Sequence, residues 1–220
     1  MAPAPRSRRP RRRRRLRDPL AYERRWWERG VELVAGVDEV GRGPLAGPVV
    51  AAAVVLPPGT WLEGATDSKD LREGERRAVA EVVRKRAVTV GLGAASPGEI
   101  DARGIVPATR LAVARALEHL TCRPGHVVVD GRPVKGLGWE HDAVVKGDYR
   151  VHCVACASVV AKVCRDRLME GLHARYPAYG WDRNKGYGTA EHREALASLG
   201  PSPHHRASFA GVGRRTPRRR

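Results

Sequence analysis

The sequence predicts one α/β domain: a central mixed β-sheet flanked by helices, with a helical C-terminal segment. Short runs rich in Val and Ala alternate with longer segments whose apolar residues recur at helical spacing, and Gly- or Pro-rich connections separate them. A chain of 220 residues is long enough for one domain with a substantial core. We place that domain at residues 19–210, between arginine-rich tails at 1–18 and 211–220.

The elements follow one another in a strand-rich first half and a helix-rich second half. Strands are predicted at 32–38, 47–56, 88–95 and 127–131, and residues 143–148 repeat the shape of the last one. Helices are predicted at 19–31, 73–86, 98–103, 106–120, 156–172 and 189–199. The glycine-rich connection between the first two strands predicts an antiparallel hairpin, and Asp67-Ser68-Lys69 is expected to cap the helix at 73–86.

Positive charge is concentrated in the tails. The net charge is +17, of which residues 1–18 carry +8 and residues 211–220 carry +5. Such tails are expected to be disordered and to add salt-sensitive attraction to nucleic acid. No apolar run approaches a membrane span and no secretory signal is evident, so we expect a cytoplasmic monomer. Four cysteines are too few for a disulfide framework; buried thiols are favoured over a zinc or redox pair at Cys153 and Cys156.

Residues 34–50 are the most informative stretch. An apolar strand runs into two adjacent carboxylates, Asp38 and Glu39, and then into Gly41-Arg42-Gly43. Adjacent strand residues point to opposite faces, so both acids can serve one site only if the strand ends or bulges, or if one contributes its main-chain carbonyl. The alternative is a hairpin loop with solvated charges.

Acids follow or end three predicted strands: Asp38 with Glu39, Asp130, and Asp148. Ligands collect at strand ends in α/β sheets, so these carboxylates are expected to converge. Their mutual repulsion requires divalent cations, and oxygen ligands favour Mg²⁺ or Mn²⁺. Two such ions suit hydrolysis of a phosphodiester by an activated water. A single acid of this kind is more often a helix cap or a turn former.

Basic and aromatic residues near these acids are candidates for nucleic-acid contacts. Arg42 lies between two glycines that let a polynucleotide approach closely, and Tyr187 lies in a basic, glycine-containing loop where its ring could stack on a sugar or base. Further positive charge comes from Lys69, Lys146, Lys162 and Arg165. Each of these cations, taken alone, is as readily explained by a solvated surface.

Taken together, these motifs resemble the ribonuclease HII family from about residue 20 to 210. The resemblance is carried by the run from Asp38 to Pro48 and by Asp67-Ser68-Lys69, Val129-Asp130-Gly131, Lys146-Gly147-Asp148, Ala161-Lys162-Val163-x-Arg165-Asp166, Lys185-Gly186-Tyr187 and His204-His205-Arg206-x-Ser208-Phe209. It implies a ribonuclease-H-like fold and endonucleolytic cleavage of RNA in RNA–DNA hybrids. It also implies nicking 5′ to single ribonucleotides embedded in duplex DNA.

The resemblance also assigns residues. The four metal-binding, catalytic acids would be Asp38, Glu39, Asp130 and Asp148, which would hold two ions during catalysis. The substrate-binding set would be Gly41, Arg42, Gly43, Lys69, Lys146, Ser158, Lys162, Arg165 and Tyr187. Within it, the Gly41–Gly43 loop would sense the 2′-hydroxyl, and Tyr187 would pack on the adjacent deoxyribose.

Some positions depart from the family pattern. Asp70 stands where a second lysine is usual, and His152, Cys153 and Cys156 replace commoner residues before the long helix, which concerns substrate affinity rather than the reaction. Competing interpretations are an integrase-like or junction-resolving nuclease, a ribonuclease HIII, and a basic RNA- or ribosome-associated protein. An integrase-like or junction-resolving nuclease would need no 2′-hydroxyl sensor, and a ribonuclease HIII would carry an additional N-terminal domain. A basic binding protein would leave the acids unexplained.

Overall fold

The computed structural model describes residues 18–65 and 68–213, without the side chain of Lys69. Most of both predicted tails, and Asp67 of the expected cap, therefore lie outside the described residues. Val212 is buried, so the packed chain continues past residue 210. Within the described residues no helix is long and apolar enough to span a bilayer.

The elements follow the predicted order. The strands are β1 (Val34–Val40), β2 (Val49–Val55), β3 (Thr89–Ala95), β4 (His126–Asp130) and β5 (Asp142–Val144). The helices are α1 (Ala21–Trp27), α2 (Glu73–Arg86), α3 (Pro97–Arg103), α4 (Ile105–Glu118), α5 (Gly147–Arg150), α6 (His152–Arg175), α7 (Trp181–Asn184) and α8 (Ala190–Leu199). Short 3₁₀ turns cover Ser68–Asp70 and Pro177–Tyr179.

The sheet is mixed, as the sequence predicts. Its strand order is β3-β2-β1-β4-β5. The β1–β2 hairpin and the β2–β3 pair are antiparallel, whereas β4 runs parallel to both β1 and β5. The parallel strands β1, β4 and β5 therefore direct their C-terminal ends toward one edge, where the acids lie.

Strand β2 is apolar at every position, with no alternation of polar and apolar residues. Ala51, Ala53 and Val55 face the core cluster that contains α4, whereas Ala52 and Val54 face the cluster formed with α6. Both faces of the strand are covered by helices, and a strand buried on both faces reads as a continuous apolar run.

Small residues let helix α6 pack directly against the sheet. A Cβ added to Gly36 would overlap the backbone of Cys153 and Val154, in the first turn of α6. This close approach fixes the helix over β1, so side chains farther along α6 reach the end of β1 that carries Asp38. Glycine is therefore required at position 36 for packing rather than for a turn.

Three sequence expectations are corrected. Strand β1 neither ends nor bulges at the acids, because its pairing with β2 continues in register to Val40 opposite Val50. Ser68 does not cap helix α2: the Arg72 N–H at the start of the helix donates to Glu75 at 2.8 Å, and Ser68–Asp70 form the preceding turn. Asp148 lies in α5, beyond the end of β5, because β5 closes at Val144.

The C-terminal segment returns to the β1–β2 connection. Ala46 and His205 form an isolated antiparallel bridge, and the Gly47 N–H donates to the His204 carbonyl at 2.8 Å. Ala207 and Ser208 are tied to Asp101 of α3 by their N–H groups. This return places the last described residues beside the loop that follows Asp38 and Glu39.

Candidate active site

Asp38 is a buried acid at the C-terminal end of β1. It lies on the α6 face of β1, where it accepts hydrogen bonds from the Ser158 hydroxyl and from the Glu39 N–H. Burial, followed by the charges of Glu39 and Asp130, raises the pKa of Asp38 well above its ordinary value. The carboxylate is therefore held among like charges in a place where a cation would stabilise its ionised form.

Asp130 lies beside Asp38 because of strand register. Val37 of β1 pairs with Val129 of β4, so the two aspartates are the next residues on neighbouring parallel strands. Asp130 accepts a hydrogen bond from the Gly147 N–H at 2.7 Å, which brings the start of α5 and its buried Asp148 to the same edge. Two strand ends and one helix start thus bring Asp38, Asp130 and Asp148 to the same edge of the sheet.

Glu39 points away from this group. Since β1 is regular here, its side chain emerges on the face opposite to Asp38 and accepts from Arg42 Nη1 at 3.1 Å. Because the strand neither ends nor bulges at this point, Glu39 can contribute to the same site as Asp38 through its main-chain carbonyl. The ion pair between Glu39 and Arg42 also links the acids to the glycine-flanked loop.

The donor set fits a divalent cation of the Mg²⁺ or Mn²⁺ type, since it offers oxygen atoms and negative charge. In the described part of the chain, no three His, Cys, Asp or Glu side chains already stand in a metal-holding arrangement. Cation binding would therefore draw the carboxylates together. Burial, and then the charges of Glu39 and Asp130, raises the pKa of Asp38, and a nearby metal ion would favour its ionised form against both.

The Ser68–Asp70 turn lies against the acids through Ser158. The hydroxyls of Ser68 and Ser158 are 3.1 Å apart, and Ser158 also contacts Asp38. Arg76 of α2 holds this turn, because its guanidinium donates to the Ser68 and Leu71 carbonyls, each at 2.8 Å. The Lys69 side chain is outside the described residues, and the departing residue Asp70 is exposed.

The glycine-flanked loop and the tyrosine loop lie side by side. The Leu45 N–H donates to the Gly186 carbonyl at 2.8 Å, and a Cβ added to Gly43 would lie 3.8 Å from Tyr187 Cε1. Arg42 and Gly43 are exposed, and Tyr187 is 47% exposed. An open surface with backbone N–H groups and an aromatic ring is therefore adjacent to the acids.

The cations predicted from the sequence differ in their surroundings. Lys146 is exposed in a left-handed backbone conformation with φ 59°, just before Gly147. Lys162 is ion-paired with Asp166 at 2.6 Å. Arg165 is fully buried and donates to main-chain carbonyls. This burial disagrees with Arg165 as a direct phosphate contact, because no donor of its guanidinium faces the open surface.

Residues 35–212 match the family model described as ribonuclease HII. The chain is 48% identical over 195 residues to ribonuclease HII of Syntrophobacter fumaroxidans, covering 89% of this chain and 84% of the relative. It is 49% identical to the enzyme of the same name from Moorella thermoacetica, covering 86% and 92% of the two chains. The chain belongs to the ribonuclease HII family.

Solved structures agree with this assignment. The crystal structure of ribonuclease H2 from Pyrococcus horikoshii OT3 superimposes with a TM-score of 0.72 and 28% identity, over 82% of this chain and 95% of the other. As a ribonuclease HII, the chain is an endoribonuclease that hydrolyses RNA in RNA–DNA hybrids, and its family is metal-dependent.

The sequence did not single out several residues that organise the ribonuclease HII site. Arg206 is fully buried against the carbonyls of Gly41, Arg42 and Gly47. His192 contacts the Tyr187 carbonyl at 2.9 Å and the ring of His205 at 3.0 Å. The His204-His205-Arg206 motif was visible as part of the family pattern, but its role depends on contacts that only the fold creates.

The cysteines of the ribonuclease HII chain follow the simpler expectation. Cys153 and Cys156 are buried, unpaired thiols in the first turns of α6, and burial raises the pKa of both. The backbone N–H of Cys153 donates to Glu23 of α1 at 2.8 Å. Cys153 therefore belongs to the packing between α1 and α6, and Cys156 packs against β2.

Proposed function

We propose that Asp38, Glu39, Asp130 and Asp148 hold two Mg²⁺ or Mn²⁺ ions during catalysis, and that the enzyme nicks duplex DNA 5′ to an embedded ribonucleotide. The observation that carries this proposal is the position of the acids beside an open loop of glycines and Tyr187. When bound, the ions activate a water and stabilise the leaving oxygen of the phosphodiester. The products are a 5′-phosphate on the ribonucleotide side and a 3′-hydroxyl.

The loop residues account for selectivity. A 2′-hydroxyl is what distinguishes RNA from DNA, and backbone groups at Gly41–Gly43 can hydrogen-bond it without side-chain bulk. The exposed Tyr187 ring lies next to Gly43, where it would pack on the deoxyribose that follows the ribonucleotide and reject a second 2′-hydroxyl there. The loop and the ring together select an RNA-to-DNA junction.

Other finer assignments belong to the same proposal. Lys69, Lys146 and Lys162 supply positive charge for substrate phosphates, and Ser158 positions Asp38 by hydrogen bonding. We extend the proposal to a monomer that acts in the cytoplasm. The arginine-rich segments at 1–18 and 211–220 would add sequence-independent attraction to nucleic acid.

The test uses a labelled DNA duplex with one ribonucleotide, incubated with Mg²⁺ or Mn²⁺. The controls are an all-DNA duplex and the Asp38→Asn and Asp130→Asn variants. We expect a single metal-dependent nick 5′ to the ribonucleotide that disappears in both variants. Cleavage of the all-DNA duplex would instead indicate a nuclease without a 2′-hydroxyl sensor, and binding without cleavage would refute the assignment of the acids.

A further inference from the structure

Two arginines lie beneath the Gly41–Gly43 loop, where solvent does not reach them. Arg206 Nη2 donates to the Gly41 carbonyl at 2.5 Å, and its Nη1 donates to the Arg42 carbonyl at 2.9 Å. Nε and Nη2 of the same residue also bind the Gly47 carbonyl, at 3.0 and 2.8 Å. One planar guanidinium therefore holds three carbonyls of a single loop, which a point charge such as lysine cannot do.

Arg165 of α6 ties this loop to the tyrosine loop. Its guanidinium binds the carbonyls of Ala46 at 3.1 Å, Pro48 at 3.0 Å and Lys185 at 2.9 Å. A Cβ added to Gly41 would overlap the Arg165 side chain, so the glycine lets the loop lie on the arginine. The two loops and the two arginines form one unit, which we call the arginine hub (Arg165, Arg206 and the carbonyls that they bind).

The positive charges of the arginine hub are stabilised by carbonyl dipoles rather than by carboxylates. Among the described residues, neither Arg165 nor Arg206 has a carboxylate within ion-pair distance. Burial, together with the charge of Arg165, lowers the pKa of Arg206. The Phe209 ring lies 5.0 Å from the Arg206 guanidinium, and the loop carbonyls supply the hydrogen-bond acceptors for both arginines.

The direction of these carbonyls sets the direction of the neighbouring N–H groups. In a trans peptide the C=O and the following N–H point in opposite directions, and the described residues contain no cis peptide. With the Gly41 and Arg42 carbonyls turned inward to Arg206, the N–H groups of Arg42 and Gly43 point outward. Neither N–H group has a hydrogen-bond partner among the described residues.

We propose that Arg206 is a positioning residue for substrate recognition, which aims the N–H groups of Arg42 and Gly43 at the ribonucleotide by holding the carbonyls behind them. The inference rests on the proposed function, because it takes the Gly41–Gly43 loop as the ribonucleotide sensor. Arg165 supports the same geometry by lying against Gly41 and by binding the carbonyls of Ala46 and Pro48. Pro44 follows directly and has no N–H, so the two outward donors are those of Arg42 and Gly43.

The experiment separates recognition of the ribonucleotide from general DNA binding. For the full chain and Arg206→Lys, we would measure KM and kcat on the single-ribonucleotide duplex, and Ki for an all-DNA duplex as competitor. Arg115→Lys is the matched control, because Arg115 also binds a carbonyl, that of Ala94 at 2.7 Å, but away from the loop. Losing two aimed neutral hydrogen bonds should raise KM about tenfold.

We expect Arg206→Lys to raise KM and to leave Ki for all-DNA within about threefold, a difference below 1 kcal/mol. A fall in kcat alone, as a partly unfolded sample would give, or a rise in Ki equal to that in KM, would overturn the inference. Failure of the unmodified enzyme to cut the ribonucleotide duplex would instead refute the proposed function, so the two failures are distinguishable.

A second pair of variants applies if Arg206→Lys does not fold. Gly43→Pro removes one outward N–H, whereas Gly43→Ala keeps it and places its Cβ in ordinary contact with Tyr187. We expect Gly43→Pro to raise KM on the ribonucleotide duplex several-fold more than Gly43→Ala, with Ki for all-DNA alike in the two. Equal KM values for the two variants would show that the amide is not used.

Discussion

The acids and the arginine hub are neighbouring regions that hold buried charge in opposite ways. Burial first, and then the charges of Glu39 and Asp130, raises the pKa of Asp38. Arg165 and Arg206 are more deeply buried, yet each is satisfied by three main-chain carbonyl groups. Under the proposed function the negative region takes its compensating charge from cations in solution, whereas the guanidinium groups of the positive region find their acceptors within the chain.

This contrast separates chemistry from recognition. A carboxylate cluster that binds a metal ion can release or shift that ion during turnover. Without the ion, the repulsion among its carboxylates lowers the stability of the fold. A hub in which every guanidinium nitrogen binds a carbonyl cannot rearrange without leaving buried carbonyls unpaired. Under the proposed function, a rigid surface for substrate recognition lies next to a reaction centre whose electrostatics would depend on bound ions.

The largest effect is expected for Asp38→Asn. Loss of a metal-binding carboxylate should lower kcat by at least about 10³-fold, while the free energy of unfolding without metal should stay equal or rise, because one of the repelling charges is removed. Steady-state cleavage and urea unfolding in EDTA would measure both. A clear loss of stability in this variant would contradict the view that the charge of Asp38, unlike the charges of the hub, destabilises the metal-free fold.

Arg165→Ala should show the opposite pattern in stability. The substitution leaves the carbonyls of Ala46, Pro48 and Lys185 without their partner, at about 1–3 kcal/mol each, so unfolding should become easier by about 3 kcal/mol or more. Denaturant titration checks this value against Arg115→Lys as a surface control. A change under 1 kcal/mol would mean that the hub is not what holds the two loops.

The histidines beneath Tyr187 should make stability depend on pH. Burial first, then the charges of His192 and His204, lowers the pKa of His205 from 6.5 to about 4, so the unfolded chain binds more protons in this range. The free energy of unfolding should therefore fall as the pH falls from about 6.5 toward 4. His152, whose pKa is also lowered to about 4, acts in the same direction.

His205→Gln isolates the contribution of the histidine at position 205. Denaturant unfolding at pH 7.5, 6.0 and 5.0 should give a shallower pH dependence in this variant than in the unmodified chain. His152→Gln provides the matched comparison at a buried histidine far from the tyrosine loop. An unchanged slope for His205→Gln would exclude this residue as a source of the pH dependence.

The smallest effect is expected from deleting residues 1–18. Nine arginines leave with this segment, so affinity for the duplex at low salt should fall and the dependence of affinity on salt should become less steep. kcat should stay nearly unchanged, because both regions compared above lie elsewhere. Equal affinities of the two forms at every salt concentration would contradict a role for this segment in binding.

The sequence predicted the acid region better than the hub, and the reason is physical. Strand ends can be recognised from local patterns, so the proximity of Asp38 and Asp130 followed from the element order. Asp148 was placed at a strand end because the three-residue β5 is too short to be distinguished from the helical turn after it. A short turn also misled the prediction for the start of α2, where the capping hydrogen bond joins Arg72 and Glu75.

The hub was missed because burial of an arginine is a tertiary property. Arg165 has the same local pattern as a solvated helix cation, and it becomes buried only when residues 46–48 and 185 close over that turn of α6. Arg206 lies shortly before an arginine-rich tail, so the sequence does not distinguish it from the arginines of that tail. Which carbonyls an arginine meets depends on loops far apart in sequence, and local periodicity carries no information on them.

Helix α1 determines where a label can be attached. Its Tyr22 contacts His126 at 3.1 Å and Asp142 at 2.6 Å, the first residues of β4 and β5, while Glu23 accepts from the start of α6. The acids lie at the opposite ends of these strands, about 13 Å away for a strand as long as β4. A fluorophore or surface linker attached to the exposed side of α1 would therefore leave the substrate-binding face open for single-molecule observation of nicking.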